Sequence, residues 1–254
     1  MMNKLIAYIR KHFLPDTLPK LSERGLWLSL PLVALVLLIY EYYGWQIPFM
    51  KMALHYAWLP NYSQNNVKFI AQAYTSASFV TLFVLVPVIF GRMFPYDGPN
   101  PFAFRPTLVR EFIPSYLPLI LVMTPVLWIA CGRTDFNRFY PLYNPASIHH
   151  LIAYETIYMV QFIAVEYLFR GFLLFRMERA APGYGVWVMV IPYALIHIHK
   201  PFPEAVASIF AGVVLGFLAL KSRSIWPGVF VHCYVALATD LFSLIRSGRF
   251  SVLF

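Results

Sequence analysis

Apolar runs of about 20 residues recur along the whole 254-residue chain, and no other feature limits its fold so strongly. An α-helix of that length crosses the roughly 30 Å hydrocarbon core of a bilayer. Only 12% of the residues are charged, against about 25% in an ordinary soluble domain. The runs cover about residues 26–43, 69–90, 113–130, 154–175, 184–198, 203–220 and 225–245. The sequence therefore predicts an all-α, polytopic membrane protein with about seven transmembrane helices.

The segments around these runs suggest how the chain is divided. Residues 1–24 alternate apolar and basic positions, which predicts a short amphipathic helix on the membrane surface. Residues 25–148 hold the first helices and a Pro-rich connection, residues 149–246 hold most ionisable groups at membrane depth, and residues 247–254 form a tail. The net charge of +9 follows from basic residues at helix ends, which favour a cytoplasmic N-terminus. The expected partner is the bilayer, and nucleic acid is not expected.

Three of the predicted helices in the second half of the chain carry ionisable side chains inside the membrane. Glu166 and Arg170 are four residues apart, so they lie one turn from each other on one helix face. His197, His232 and Asp240 follow on later helices, at depths that permit them to meet. A carboxylate, an arginine and two imidazoles form a hydrolytic set in which the glutamate serves as general base. The alternative is a buried ion pair that fixes helix packing, with the histidines as packing or interfacial residues.

The order of these residues resembles the CAAX prenyl endopeptidase and bacteriocin-processing (CPBP, or ABI) family of intramembrane proteases. The family's first motif, Glu-Glu-x-x-x-Arg, is similar to residues 165–170. Its second, Phe-x-x-x-His, is similar to residues 193–197, and its third, His-x-x-x-Asn or Asp, begins at His232. The resemblance spans about residues 150–245 and makes the segment 149–246 a CPBP-like core.

Three positions depart from these motifs. Val165 stands where the first motif has its first Glu, and Tyr193 replaces the Phe of the second. Ala236 replaces the Asn or Asp of the third, and the nearest acid is Asp240. Asp240 lies roughly 80° around the helix from His232 and about 12 Å along it, so it can face the same cavity.

The resemblance implies an intramembrane endopeptidase in a bacterial inner membrane. Such an enzyme hydrolyses a peptide bond of a membrane-associated protein or peptide with a Glu-activated water and assisting histidines. The implied site residues are Glu166, Arg170, Tyr193, His197, His232 and Asp240. Two His and one Glu could hold zinc, but there is no HExxH motif, so we expect no cofactor.

Two other functions stay open at this point. A catalytically inactive relative would keep the cavity to bind or chaperone a membrane partner, and Val165 and Ala236 favour that alternative. A small transporter has less support, because the sequence shows no repeated halves with paired broken helices.

Overall fold

The computed structural model describes residues 21–59, 62–102 and 107–253. Every element of regular structure within those ranges is helical, and six of the helices there are long and apolar enough to cross a membrane. The predicted fold class, an all-α polytopic membrane protein, is confirmed. The amphipathic helix predicted for residues 1–24 falls mainly on residues 1–20, which lie outside the described ranges.

The helices are numbered in chain order. α1 is Leu21–Ile39, which continues into a π-helical turn at Tyr40–Gly44; α2 is Gln46–His55; α3 is Gln64–Met93; α4 is Thr107–Ala130. α5 is Thr134–Phe139; α6 is Ile148–Ala180; α7 is Gly185–Leu195; α8 is Phe202–Ser222; α9 is Trp226–Arg246, followed by a 3₁₀ turn at Arg249–Leu253.

Helix α6 forms the centre of the molecule. Of its most apolar stretch 78% is buried, against 11% to 50% in the other five helices of membrane length. Its first half packs against the last half of α9 in a cluster that includes Tyr154, Tyr158 and Leu244. Directly after Glu166, α6 widens into a π-helical stretch, Tyr167–Leu174. Such stretches are rare and often lie at functional sites, so the charged pair sits on the central, irregular helix.

Helix α7 is shorter than the apolar run that predicts it. The run covers residues 184–198, but the helix ends at Leu195 and is about 16 Å long, roughly half the hydrocarbon thickness. After it the backbone tightens, because the N–H groups of His197 and Ile198 donate to carbonyls three residues earlier, at 3.0 and 3.2 Å. Since α7 begins beside Glu178, near the end of α6, His197 lies within the depth of the membrane.

Two glycines of α8 set the position of α7. A Cβ atom at Gly212 would lie 2.7 Å from Val190 and 2.9 Å from Tyr193, and one at Gly216 would lie 3.0 Å from Met189. Small residues four apart let two helix backbones approach closely in a membrane. Because they have no side chains, the α8 glycines leave room for α7 and allow Tyr193 to pack into the core.

Of the predicted tail, residues 247–254, the structure describes residues 247–253, which fold back onto the helices. Leu253 is buried in the same cluster as Leu244. The guanidinium group of Arg249 donates to the carbonyl of Tyr140 at 2.7 Å and to the side chain of Asn144 at 2.9 Å. These bonds fasten the end of α9 to the loop before α6.

Candidate active site

Glu166 and Arg170 form an ion pair inside the protein. The Arg170 Nη1 donates to Glu166 Oε1, and both side chains have no exposed surface. The guanidinium carbon of Arg170 also lies 4.6 Å from the ring centroid of Tyr193, over its face. Two opposite charges held this way make a neutral unit, which is how a membrane-embedded protein keeps ionisable groups away from lipid.

We expect Glu166→Gln alone to destabilise the protein by about 3–5 kcal/mol, because it leaves the buried Arg170 guanidinium without a counter-charge. The double variant Glu166→Gln/Arg170→Met removes both charges and should recover most of that loss. The free energy of unfolding, measured by SDS titration in mixed micelles, checks this expectation.

The matched control is Lys200→Gln, which breaks a pair whose side chains are 26% and 24% exposed. That loss should stay at or below about 1 kcal/mol. An equal loss in the single and the double Glu166 variants would contradict the buried-pair account.

His232 of α9 reaches the same carboxylate from the other side. Its Nδ1 lies 3.0 Å from Glu166 Oε1, and its ring stacks on Phe162 with centroids 4.6 Å apart. A carboxylate only accepts hydrogen bonds, so Nδ1 carries the hydrogen and Nε2 keeps its lone pair when the ring is neutral. Glu166 and Phe162 thus fix both the tautomer and the orientation of His232.

His197 is held in the same tautomer by a different acceptor. Its Nδ1 lies 2.9 Å from the carbonyl oxygen of Tyr193, one turn earlier. The Tyr193 ring lies 5.0 Å from the His197 ring and 6.5 Å from the His232 ring, measured between centroids. Tyr193 therefore packs against Arg170 and against both imidazoles at once.

Both imidazoles line one cavity of about 340 Å³. This volume is at the lower end of the roughly 300–1,000 Å³ typical of ligand pockets. Val165 lines it together with His197 and His232, and the amides Gln72 and Gln161 lie along its wall. Its lining extends to four cationic side chains on helix ends and loops, Lys68, Arg138, Lys200 and Arg249. The cavity therefore joins a charged region near the ends of the helices to the histidines within the membrane.

The side chains of the adjacent residues Val165 and Glu166 have different surroundings. Val165, the position of the first Glu in the resembling motif, is 3% exposed and lines the cavity. Glu166 lies behind the cavity, where its Oε2 packs directly against Gly228 of α9. A Cβ atom at Gly228 would overlap that oxygen, so glycine there lets α9 approach Glu166.

Asp240 is not brought to the histidines. It lies about 12 Å along α9 from His232, fully buried against Glu155 and Tyr154. Among the described residues, no contact joins Asp240 to Glu166, His197 or His232. The depth predicted for Asp240 agrees with its full burial in the helix bundle, but its surroundings are Tyr154 and Glu155, away from the histidines.

Several residues of the site were not singled out from the sequence. Phe162 and Gly228 carry no signal of their own, since an aromatic residue and a glycine are ordinary in a membrane helix. Gln72 and Gln161 do carry a signal, because an amide within an apolar span needs a hydrogen-bond partner or a water-filled cavity. Both are buried here and bond to each other across α3 and α6.

The described part of the chain contains no group of three or more His, Cys, Asp or Glu side chains arranged to hold a metal ion. The groups that come closest to such an arrangement are the Nε2 atoms of His197 and His232 and the Glu166 carboxylate. That carboxylate is already bonded to Arg170 and His232.

Comparison with protein families places this site in context. Residues 147–238 match a family model described as Rce1-like, Type II CAAX prenyl endopeptidase Rce1-like. The matched segment begins with α6. It includes Val165, Glu166, Arg170, Tyr193, His197 and His232, whereas Asp240 lies beyond it. The resemblance to the CPBP family is confirmed over that segment. Comparisons with curated proteins and with solved structures found no match.

Proposed function

We propose that this membrane protein is an intramembrane endopeptidase whose general base is His232, oriented by Glu166. The family match supports an intramembrane protease kind of function. The observation that carries the finer proposal is the 3.0 Å contact between His232 Nδ1 and Glu166 Oε1, with the His232 ring lining the cavity. The sequence predicts Glu166 itself as the base. We assign it to a position behind His232 because its Oε1 is already bonded twice and Glu166 does not line the cavity.

The proposed reaction uses groups already in place. A water molecule binds between the Nε2 atoms of His232 and His197. His232 takes its proton while the water oxygen adds to the carbonyl carbon of the peptide bond, and the Glu166 carboxylate stabilises the imidazolium that forms. His232 then gives that proton to the leaving nitrogen, the C–N bond breaks, and a carboxylate and an amine are released. General base catalysis of this kind contributes about 10²–10⁴ in rate.

The substrate we propose is a membrane-anchored peptide. The cavity extends from the buried histidines to polar surroundings at the helix ends, so a chain anchored in lipid reaches both. The family description names a CAAX prenyl endopeptidase, and we test a prenylated and an unprenylated peptide side by side. We propose a bacterial inner membrane from the family resemblance alone, and we place the N-terminus on its cytoplasmic side because Lys and Arg side chains are more frequent there.

Cleavage of defined peptides tests the proposal. The full chain is reconstituted into lipid nanodiscs with two probes: a peptide ending in farnesyl-Cys-aliphatic-aliphatic-X, and an unprenylated peptide anchored by a transmembrane helix. We expect a product ending in a free carboxylate from at least one of them, identified by mass spectrometry. If neither is cut although one binds, endopeptidase activity is excluded for the class of peptides tested.

A binding function is the second candidate, and a specific observation favours it. At the two positions where the motifs carry a Glu and an Asn or Asp, this chain has the hydrocarbon side chains of Val165 and Ala236. A cavity without those groups still holds an extended peptide. Saturable binding of the probes without any product would support this alternative.

A further inference from the structure

We propose that the side-chain amide of Gln161 donates hydrogen bonds to the carbonyl oxygen of the bound peptide and to the oxyanion formed from it. This inference rests on the proposed function, since it assigns a role within the same cavity. Neither the motifs nor the family match assigns a role to Gln161.

A chain of hydrogen bonds fixes how this amide is turned. The hydroxyl of Ser76 donates its only hydrogen to the carbonyl of Ile157, at 2.9 Å. Ser76 must therefore accept from Gln72 Nε2, 3.4 Å away, and Gln46 Nε2 donates to Gln72 Oε1 at 2.5 Å. The same Gln72 nitrogen lies 3.4 Å from Gln161 Oε1. Gln161 consequently directs its oxygen to Gln72 and keeps the NH₂ group, with its two donors, free of that bond.

The free NH₂ group faces the cavity of the histidines. Gln161 lines that cavity. Its Nε2 makes no hydrogen bond to the described residues and is not one of their fully buried unpartnered atoms. Gln161 is one helical turn before Val165, so both lie on the same face of α6, and it adjoins Phe162, on which His232 stacks. The donor and the two imidazoles therefore line the same cavity.

The position at which the third motif carries an Asn or Asp offers no hydrogen-bond donor in this chain. Ala236, four residues after His232, offers only a methyl group and packs with Tyr158 and Phe162. A developing oxyanion in a site with little water needs a donor already in position. Gln161 is a neutral donor that lines the cavity next to Phe162, so we assign the donor to α6 rather than to α9.

Gln161→Met tests this inference, because methionine keeps the length of the side chain and removes its donors. Losing one oxyanion donor typically lowers kcat by about 10²–10³-fold. We expect that fall with a KM changed less than threefold. Adding Ala236→Asn to Gln161→Met should recover at least tenfold of the lost kcat, which a purely structural role would not produce. The control is Gln64→Met, at an exposed glutamine at the start of α3, which should keep wild-type kinetics.

A second readout works without turnover. A phosphinate analogue of the probe peptide, which carries a tetrahedral centre with an anionic oxygen, should bind the Gln161→Met protein at least tenfold more weakly than wild type. If wild type cleaves the probe and Gln161→Met keeps kcat and phosphinate affinity within threefold, Gln161 has no such role. If wild type binds the phosphinate without cleaving any peptide, the proposed endopeptidase function fails. The phosphinate affinity of Gln161→Met then still decides the inference.

Discussion

Replacing His232 with Gln should lower kcat for the probe peptide by about 10²–10⁴-fold, the range that a general base contributes. Glutamine has a comparable size and keeps an N–H donor for Glu166 Oε1, so the hydrogen bond that His232 makes there is replaced. It has no nitrogen that can take a proton from water. Steady-state cleavage in nanodiscs measures the loss, and the free energy of unfolding should stay within about 1 kcal/mol of wild type.

The same substitution elsewhere provides the control. His150 is an exposed histidine in the first turn of α6, and His150→Gln should retain wild-type kinetics. A His232→Gln protein that keeps kcat within threefold of wild type, while folded, would remove His232 from the reaction.

A comparison of variants distinguishes two roles for Glu166. Either it orients His232, or it takes the proton from water itself. The comparison uses Glu166→Gln/Arg170→Met, in which the charge imbalance is avoided. If Glu166 acts only through His232, adding His232→Gln to this pair should lower kcat little further, because residues that act as one unit are not additive. A further fall of a hundredfold or more would show two independent contributions and favour the glutamate base that the sequence predicts.

Much of the architecture follows from the sequence because a bilayer dictates it. A helix must be about 20 apolar residues long to cross the membrane, so five of the predicted runs reappear with shifts of a few residues and α6 extends further. The short helix α7 could not be foreseen in this way. Its apolar run continues past Leu195, whereas the helix stops there for reasons of backbone hydrogen bonding that hydropathy does not register.

The site was only partly predictable, because depth along a helix says nothing about the direction in which a side chain points. The depths of Glu166, His197 and His232 are compatible, and the fold brings them to one place. Asp240 is also deep, but it lies beside Glu155 and not beside the histidines. Likewise, the adjacent residues Val165 and Glu166 had to lie on different faces of α6, but the sequence does not say which of them faces the cavity. In the structure Val165 lines the cavity, and Glu166 Oε2 lies against Gly228.

Val165→Glu should raise kcat of the probe cleavage by at least tenfold. The new carboxylate would enter the cavity that Val165 lines with His197 and His232, where a second group able to take a proton from water contributes part of the roughly 10²–10⁴ available. Val165→Gln, equal in size but unable to act as a base, is the matched control and should give no gain. Thermal unfolding of both variants shows whether burying either polar side chain costs stability.

The two Val165 variants also distinguish the competing functions. In the His232→Gln background, Val165→Glu should restore cleavage at least tenfold, because it offers the water an alternative base beside His197. If wild type binds the peptides but cuts none, and Val165→Glu cuts them, the chain is a binding relative that lost its activity through this one position. If Val165→Glu does no better than Val165→Gln in an active protein, the cavity-facing side of α6 does not approach the reacting water, and the water must be bound by the histidines alone.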